Sequence, residues 1–437
     1  YRSGNGAPVR EPAAGRSDSN CGPAGRRYTP APMALIVQKY GGTSVGDAER
    51  IKRVARRVAD TKKAGNDVVA VVSAMGKSTD ELIALAGDVA AGSYPREMDM
   101  LVTAGERISM ALLAMAIQDQ GVQAMSLTGS QAGILTTSAH GRAKIREIRG
   151  DRVRAGLGED CVVIVAGFQG VDPETRDVTT LGRGGSDATA VALAAALHAD
   201  VCEIYTDVDG VFTADPRMVP DARLLPEVSF EEMLELSGAG AGVLMTRSVE
   251  FGRRYGIPIH VRSSFHDGTG TWVKETTMEQ AMIRGVAHEA TDAKITVHGV
   301  PDRPGIAAAM FEPLAAEGVS VDMIVQNVST KGTTDVSCTV PRAAAETAEK
   351  VLAGIASEIG AEGVDVDENI AKVSIVGAGM KEEPGIAAKM FRILAANGIN
   401  IEMIATSAIR ISCVVRADQV DTAVRALHDG FELGAGQ

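Results

Sequence analysis

From residue 33 onward, short apolar runs alternate with stretches in which apolar residues recur at helical spacing. The runs cover residues 35–37, 68–72, 161–166 and 201–205, and the helical spacing is clearest at Ile51, Val54, Ala55 and Val58. Runs that are apolar on both faces and separated by helices are typical of a largely parallel sheet covered by helices on both faces. The pattern therefore predicts an α/β domain, which we assign to residues 33–272.

The C-terminal part of the chain contains an internal repeat. Pro-Gly-Ile at residues 304–306 recurs at 384–386, and Asp-Met-Ile at 322–324 recurs as Glu-Met-Ile at 402–404. A shift of about 80 residues suits two copies of a small α+β domain. Such a pair can form ligand clefts where the copies meet, or serve dimerisation alone. We assign the copies to residues 295–370 and 371–437, behind a linker at 273–294, and leave open whether they interleave.

Composition restricts the possible partners. The 437-residue chain has 44 basic and 56 acidic side chains, a net charge of −12, and therefore no global basic field for nucleic acid or an anionic membrane. No uninterrupted apolar run reaches the roughly 18 residues of a membrane span, so we expect neither partner. The five cysteines are scattered without metal-ligand spacing, which favours a reducing compartment, the cytoplasm.

Residues 1–32 differ from the rest of the chain. They are rich in Gly, Pro, Ser and Arg and have no hydrophobic period, which predicts a disordered extension. They also lack the apolar core of an ordinary secretory signal. We interpret Met33 as the natural start of the protein.

Polar, glycine-rich loops follow the predicted strands. Lys39, Gly41 and Gly42 follow the first strand, where a lysine and backbone N–H groups can meet a phosphate, although a tight turn would also need these glycines. Ser73 and Thr79 offer hydroxyl groups after the second strand. The Gly-Lys-Ser sequence between them is not a P-loop, because position 71 is valine where that motif begins with glycine.

Two further loops carry charged residues. Glu106 lies in Thr-Ala-Gly-Glu-Arg, which we expect to open an apolar helix, and it could bind a ligand or simply complement the helix dipole. Arg183 comes before two glycines, Ser186 and Asp187, ahead of a helix predicted at 188–198. The arginine can bind a carboxylate or a phosphate through two hydrogen bonds, while Ser186 or Asp187 could be a plain N-cap.

The loop after the fourth apolar run contains Thr206, Asp207, Phe212 and Arg217. Carboxylates at a strand end suit magnesium indirectly, or orient a lysine that faces a phosphate. Several such loops on one sheet together predict a phosphoryl-transfer site. The sequence contains no competing Cys/His metal cluster or histidine-centred nucleophile.

In combination, these motifs resemble aspartate kinase. The match rests on Lys-Tyr-Gly-Gly-Thr-Ser at 39–44, Thr-Ala-Gly-Glu-Arg at 103–107, Gly-Phe-Gln-Gly at 167–170, Gly-Arg-Gly-Gly-Ser-Asp at 182–187 and Thr-Asp-Val-Asp-Gly at 206–210. The C-terminal repeat resembles the paired ACT domains of the same family. The resemblance implies the amino-acid kinase fold, a largely parallel sheet with helices on both faces, followed by two α+β ACT domains.

The resemblance also implies an activity and its partners. It implies transfer of the γ-phosphate of MgATP to the β-carboxylate of L-aspartate, giving 4-phospho-L-aspartate on the route to lysine, threonine and methionine. ATP and Mg²⁺ are the expected cofactors. Feedback by lysine, threonine or both is expected through the ACT domains, which would also build a homo-oligomer or an α2β2 assembly. A different acceptor such as glutamate is disfavoured by the ACT pair and the 183–187 motif.

Roles for individual residues follow from the same resemblance. Lys39 stabilises the phosphoryl group in transfer, with Asp187 as its catalytic companion. Aspartate is held by Ser73, Thr79, Glu106, Arg183 and Ser186, with Arg183 on a carboxylate and Glu106 on the ammonium. ATP is bound by Lys39, Gly41, Gly42, Ser44, Thr206, Asp207, Phe212 and Arg217, and no protein ligand is assigned to the metal. The effector is bound by Asp302, Gly305, Ile306, Gln326, Asn327, Thr334, Thr406 and Ser407.

Two positions at the nucleotide site depart from the family pattern. Phe212 stands where the family often has tyrosine, and Gly242 stands where a Gly-Ala-Lys-Val-Leu motif has lysine. Loss of one charge-assisted contact costs about 1.5–3 kcal/mol, so weakened ATP binding is expected unless Lys77 or Arg247 compensates. The alternative function is therefore a catalytically attenuated subunit that senses an amino acid.

Overall fold

An eight-stranded sheet lies at the centre of the N-terminal domain. The computed structural model describes residues 33–275, 282–327, 332–380 and 383–434. The elements of the N-terminal domain are β1 (Leu35–Tyr40), α1 (Ala48–Lys63), β2 (Asp67–Val72), α2 (Ser78–Val89), α3 (Pro95–Gln118), β3 (Ala124–Leu127), β4 (Ile134–Thr136), β5 (Ile145–Ile148), α4 (Asp151–Gly158), β6 (Val162–Ala166), β7 (Gln169–Val171), β8 (Val178–Thr180), α5 (Gly185–Leu197), β9 (Val201–Thr206), β10 (Glu227–Ser229), α6 (Phe230–Gly238), α7 (Thr246–Tyr255), β11 (Ile259–Ser263) and β12 (Thr271–Lys274).

The order of the central sheet confirms the predicted α/β architecture. The strands run β10-β12-β11-β9-β1-β2-β6-β3, and every neighbouring pair is parallel except β11 and β12. The four predicted apolar runs correspond to β1, β2, β6 and β9. Because parallel strands end at the same edge, the loops that follow these four strands lie together.

Both faces of the sheet are buried, as the continuous apolar runs require. In β2, Val68, Ala70 and Val72 pack with α1 and α3 on one face. Val69 and Val71 point to the other face and pack with α5 and α7. The four predicted apolar positions of α1 are all buried. A second, four-stranded sheet with the order β5-β4-β7-β8 flanks this core.

Helix α3 is long and apolar enough to cross a membrane by length and composition, with a mean hydropathy of 1.5 over its best 18-residue window. Half of that window is buried inside the protein, where α3 packs on α1 and the sheet. Asp99, Glu106 and Arg107 interrupt the helix, so it contains no uninterrupted apolar run of the length of a membrane span. Its burial is that of a core helix.

The C-terminal residues form two α+β units of similar build. Their elements are β13 (Met282–Glu289), β14 (Asp292–Pro301), α8 (Ile306–Ala316), β15 (Ile324–Gln326), β16 (Thr333–Pro341), α9 (Ala345–Ile359), β17 (Gly363–Asp367), β18 (Ile370–Ala378), α10 (Ile386–Ala396), β19 (Met403–Thr406), β20 (Arg410–Arg416) and α11 (Val420–Gly430). The first repeat unit has the sheet β15-β16-β14-β17 with α8 and α9, and the second has β13-β18-β20-β19 with α10 and α11.

The two units interleave through β13. This strand lies in the segment assigned to a linker, residues 273–294, but it pairs antiparallel with β18 and completes the second sheet. The same segment also contains the end of β12 and the start of β14. One edge strand of the second repeat unit therefore precedes the whole first unit in the sequence.

Charged residues join the two repeat units reciprocally. Lys372 of the second unit lies 2.6 Å from Asp322 of the first, measured from Nζ to Oδ2, and Lys294 of the first unit forms an ion pair with Glu402 of the second. In the repeat, Asp322 and Glu402 occupy matching positions. The pairs follow an approximate twofold relationship between the units.

Candidate active site

A lysine and an aspartate meet at the carboxyl edge of the central sheet. Lys39 lies near the end of β1, and Asp187 lies in the first turn of α5. Lys39 Nζ is 2.6 Å from Asp187 Oδ1, and each side chain is 11% exposed. The pair is therefore an ion pair at the sheet edge with limited contact to solvent. The side chain of Asp187 is not an N-cap, because Gly184 occupies that position.

The turn after β1 is clamped to the loop after β2. Gly42 O accepts a hydrogen bond from Gly76 N at 3.0 Å, and a Cβ on Gly42 would lie 2.9 Å from the Ala74 carbonyl oxygen. Glycine at position 42 is thus needed for this close approach. In the second loop Ser73 and Thr79 are half-buried, and Thr79 lies in the first turn of α2.

The hydroxyl of Ser44 is engaged within the protein. Its Oγ lies 2.6 Å from the Oγ of Ser264, and its backbone N–H donates to Gly41 O at 2.9 Å. Both groups therefore hold the turn after β1 in place, at a residue that we expected to contact nucleotide. Gly41 N points toward Tyr205 O on β9, at 3.4 Å.

Glu106 is buried in the middle of α3 rather than in its first turn. The helix begins at Pro95, so the carboxylate cannot serve the helix N-terminus, and the helix-dipole interpretation is wrong. Glu106 Oε1 accepts a hydrogen bond from Ala74 N at 3.2 Å, while the buried Oε2 has no hydrogen-bond partner among the described residues. Burial raises the pKa of Glu106 to about 7. An unpartnered, buried carboxylate oxygen suits a cationic ligand group.

Arg183 lies exposed in the loop ahead of α5. Gly182 and Gly184 on either side have positive φ angles of 76° and 72°, which glycine adopts without strain. Arg183 forms no hydrogen bond or ion pair with another residue that the structure describes. Its guanidinium is thus available to a carboxylate or phosphate. Ser186 is buried and packs on Gly167, where a Cβ would lie 2.8 Å from the serine Oγ.

Asp99 holds the start of the Arg183 loop through hydrogen bonds. The sequence analysis did not identify this residue. Its buried carboxylate accepts hydrogen bonds from Thr180 N and Oγ1, the latter at 2.6 Å, and from Gly141 N. His140 Nδ1 lies 2.8 Å from the same carboxylate. Thr180 leads directly into the Arg183 loop. The available signal was a charged residue within a largely apolar helix, a feature that Glu106 and Arg107 share.

A cleft of about 650 Å³ opens at the end of β9, the strand that pairs with β1 in the central sheet. Three segments line it: the loop after β9, the loop after α6, and β13. Thr206 and Asp207 line the cleft directly after Tyr205, which pairs with Tyr40 of β1 in the sheet. The β13 wall, residues 286–288, was missed by the sequence analysis because it fell in the assigned linker. The cleft therefore includes a strand of the second repeat unit.

The remaining predicted nucleotide residues line the same cleft. Phe212 forms an isolated bridge with Leu224, and Asp207 accepts a hydrogen bond from Thr206 Oγ1 at 3.1 Å. Arg217 lies at the rim, 88% exposed, with its Nη2 2.7 Å from Asp215 Oδ2. The rim is thus charged but open to solvent.

Gly242 also lines the cleft, and a Cβ there would meet no atom within 4 Å. Neither residue proposed to compensate for the missing lysine lines the cleft. Lys77 is the exposed N-cap residue of α2, and Arg247 Nη1 donates to Leu181 O at 3.1 Å. The position is therefore free to accept a side chain.

The predicted effector residues lie on matching turns and strand ends of the two repeat units. Gly305 is the N-cap of α8, Ile306 is buried, and Asp302 N donates to Gly332 O at 3.0 Å. The others are exposed or half-buried on or beside β15, β16 and β19: Gln326, Asn327, Thr334, Thr406 and Ser407. Of these, Ser407 contacts the N-terminal domain, with Oγ donating to Glu235 Oε1 of α6 at 2.9 Å.

Comparison with known proteins decides the family. The model of the amino acid kinase family matches residues 34–263, and the ACT domain model matches residues 295–354 and 373–431. An aspartokinase of Mycolicibacterium smegmatis is 58% identical over 408 residues, covering 92% of this chain and 97% of that protein. The chain belongs to the aspartokinase family. An aspartokinase of Corynebacterium glutamicum is 54% identical over 408 residues and covers the same shares.

Solved aspartokinases share the whole architecture. Escherichia coli aspartokinase III in complex with aspartate and ADP superposes with a TM-score of 0.79 at 27% identity, over 91% of this chain and 99% of that one. The same enzyme in complex with lysine and aspartate gives 0.71 at 28% identity, over the same shares. The fold prediction is confirmed: an amino-acid kinase domain is followed by two ACT domains, the repeat units described above. The chain is a phosphotransferase, and the comparisons do not support the sensing-subunit alternative.

Proposed function

We propose that this aspartokinase transfers the γ-phosphate of MgATP to the β-carboxylate of L-aspartate, giving 4-phospho-L-aspartate and ADP. The observation that carries the proposal is the Lys39–Asp187 ion pair at the carboxyl edge of the central sheet, where Asp187 follows the Arg183 loop and the cleft opens at the end of the neighbouring strand β9. Relatives named aspartokinase, one of them solved with aspartate and ADP, support the same substrates.

The roles of the substrate-binding residues follow from their charges. Arg183, which has no described partner, would bind a carboxylate of aspartate, and the unpartnered oxygen of Glu106 would accept from its ammonium. Ser73, Thr79 and Ser186 would supply hydroxyl groups around the acceptor. Since an ionised carboxylate is already nucleophilic at neutral pH, the reaction needs alignment rather than a general base.

Catalysis would depend on neutralising charge on the phosphoryl group. A carboxylate oxygen attacks the γ-phosphorus, the bond to the β,γ-bridging oxygen breaks, and ADP leaves with that electron pair. Lys39 would stabilise the equatorial oxygens, and Asp187 would hold the lysine in position. Mg²⁺ would enter with ATP and reduce the charge of its phosphates. The cleft that contains Thr206, Asp207 and Phe212 would hold the nucleoside, with the phosphates directed toward Gly41 and Gly42.

We also propose feedback regulation through the ACT domains. A complex of E. coli aspartokinase III with lysine supports an amino-acid effector. Lysine, threonine or both would bind at the two turns that contain Asp302 and Thr406. A homo-oligomer or an α2β2 assembly would form through the ACT domains, and the scattered cysteines favour a cytoplasmic enzyme.

ATP-dependent formation of aspartyl hydroxamate tests the proposal directly. With Mg²⁺, saturable dependence on both aspartate and ATP is expected, and a panel of acceptor acids should show little product with glutamate. Absence of hydroxamate at any ATP concentration would contradict the proposed reaction.

A further inference from the structure

The ACT–kinase junction contains a buried histidine whose surroundings resemble an incomplete coordination shell. His428 of α11 is 0% exposed, and its Nδ1 has no hydrogen-bond partner. Among the described residues, only Glu106 Oε2 and Arg107 Nε share this condition. A buried imidazole nitrogen without a partner calls for a ligand, because leaving it unsatisfied costs free energy.

Two carboxylates lie close to this imidazole. One ligand atom each from Asp221, His428 and Asp429 lie within 4.8 Å of one another. His428 Nδ1 is 3.9 Å from Asp429 Oδ1, beyond hydrogen-bond distance. Both aspartates are exposed, so their side chains can rotate to bring a carboxylate oxygen to a shared cation. Gly434 packs so closely that a Cβ there would lie 2.4 Å from Asp221 Oδ2.

We propose that Asp221, His428 and Asp429 bind a divalent cation of the zinc type. One imidazole and two carboxylates are donors that suit such a cation, and water can complete the shell on the exposed side.

The opposite nitrogen of the histidine already has an orienting partner. His428 Nε2 lies 3.0 Å from Thr213 Oγ1, so a cation on Nδ1 would leave the Nε2–H to donate to that hydroxyl oxygen. This arrangement is the usual one for a metal-bound histidine, whose other nitrogen is held by a hydrogen bond.

The location gives the site a structural role. Thr213 lies between Phe212 and Ala214, which line the nucleotide cleft, and its carbonyl oxygen accepts from Val286 N of β13 at 2.8 Å. Asp221 follows on the same loop, whereas His428 and Asp429 belong to the second ACT domain. A bound cation would therefore fasten the cleft loop to that domain and raise thermal stability by binding only the folded state.

Isothermal titration of the full chain with Zn²⁺, without nucleotide, tests the site. A Cys21→Ser, Cys161→Ser background removes two thiols that could compete for zinc. We expect one bound equivalent, an upward shift of the melting temperature, and affinity reduced by more than about tenfold in Asp429→Asn, since even loss of an outer-shell partner costs that much. Asp421→Asn, an exposed position on the same helix, is the matched control and should bind normally.

His428→Gln should abolish binding while keeping a donor for Thr213. If that variant fails to fold, Asp221→Asn provides an independent test of zinc binding, because substitution of this exposed side chain should not disturb folding. Zinc binding that is equal in Asp221→Asn, Asp429→Asn and the parent would overturn the proposal, as would the absence of binding in the parent. Neither result bears on aspartate phosphorylation, which the hydroxamate assay measures separately.

Discussion

Lys39 Nζ lies 2.6 Å from Asp187 Oδ1, across the gap between the end of β1 and the first turn of α5. The two residues are far apart in sequence and meet because the loops of a parallel sheet end at one edge. The lysine is positioned by its ion pair before any substrate arrives. This preorganisation is the basis of the first prediction.

Lys39→Ala should reduce kcat by about a hundredfold or more, as expected when one charge-stabilising donor is removed. Hydroxamate formation measures the loss, and circular dichroism with thermal melting verifies that the variant is folded. Lys77→Ala, an exposed lysine in the neighbouring loop, is the control and should retain normal kcat. Substantial turnover by a folded Lys39→Ala protein would remove Lys39 from the mechanism.

Gly242→Lys should lower the KM for ATP. The Cβ enters open space, and a lysine there adds a cation to the cleft without a steric penalty at that atom. A charge-assisted contact of about 1.5–3 kcal/mol corresponds to a decrease of about tenfold or more. Gly354→Lys, on α9 and equally open at its Cβ, should leave the KM unchanged. An unaltered KM in Gly242→Lys would show that the glycine does not weaken ATP binding.

The pH dependence of aspartate binding should report Glu106. Burial raises its pKa to about 7, and only the ionised form attracts an ammonium group. The KM for aspartate is therefore expected to fall as pH rises through about 7 and then level off. Glu106→Gln should raise the KM and abolish this dependence, whereas Glu97→Gln, exposed on the same helix, should preserve it. If both variants show the same pH profile, the group that titrates is not Glu106.

Glu106 should also affect stability. Because its folded pKa lies above the ordinary value of 4.5, the folded state binds the proton more tightly than the unfolded state. Stability from this group is full below pH 4.5 and is lost as pH rises toward about 7. In denaturant titrations across this pH range, the free energy of unfolding of Glu106→Gln should decrease less than that of the parent.

Thr334→Leu should relieve feedback inhibition while preserving the uninhibited rate. Thr334 is half-buried on β16 and paired with Val300, beside the turn proposed to bind the effector. Inhibition curves with lysine and with threonine measure the effect, and Thr347→Leu on α9 is the control. Ser407→Leu should also relieve feedback but alter the KM for ATP, because Ser407 contacts Glu235 on the helix that leads to the cleft. Unchanged inhibition in both variants would show that the effector does not bind at the proposed turns.

Lys372→Met should destabilise the ACT pair strongly. Its side chain is 3% exposed and faces Glu289, Asp292 and Asp322, which would be left without their cation. Removing one partner from a buried ion pair costs about 3–5 kcal/mol, measurable by denaturant unfolding. Lys350→Met, an exposed lysine paired with Glu346, should change stability little. Equal effects of the two substitutions would contradict a special role for the buried cluster.

The sequence predicted the central sheet well because its signal is local. Strands β1, β2, β6 and β9 are buried on both faces, so each appears as a continuous apolar run. The position of Glu106 was predicted wrongly because the helix start was placed too late; Pro95, at the first helical position, was the available signal. Asp99 could not be assigned, because its partners Thr180 and Gly141 are distant in sequence.

Strand β13 has a consequence for how the protein is made. The ribosome produces it before the whole of the first ACT domain, yet its hydrogen-bonding partner β18 follows that domain. β13 therefore has no partner strand in its own sheet until residues 370–378 have been synthesised. Formation of the second ACT sheet, and with it the β13 wall of the cleft, therefore depends on a strand pair that spans the whole first ACT domain in sequence. The cleft cannot be complete before β18 has been synthesised.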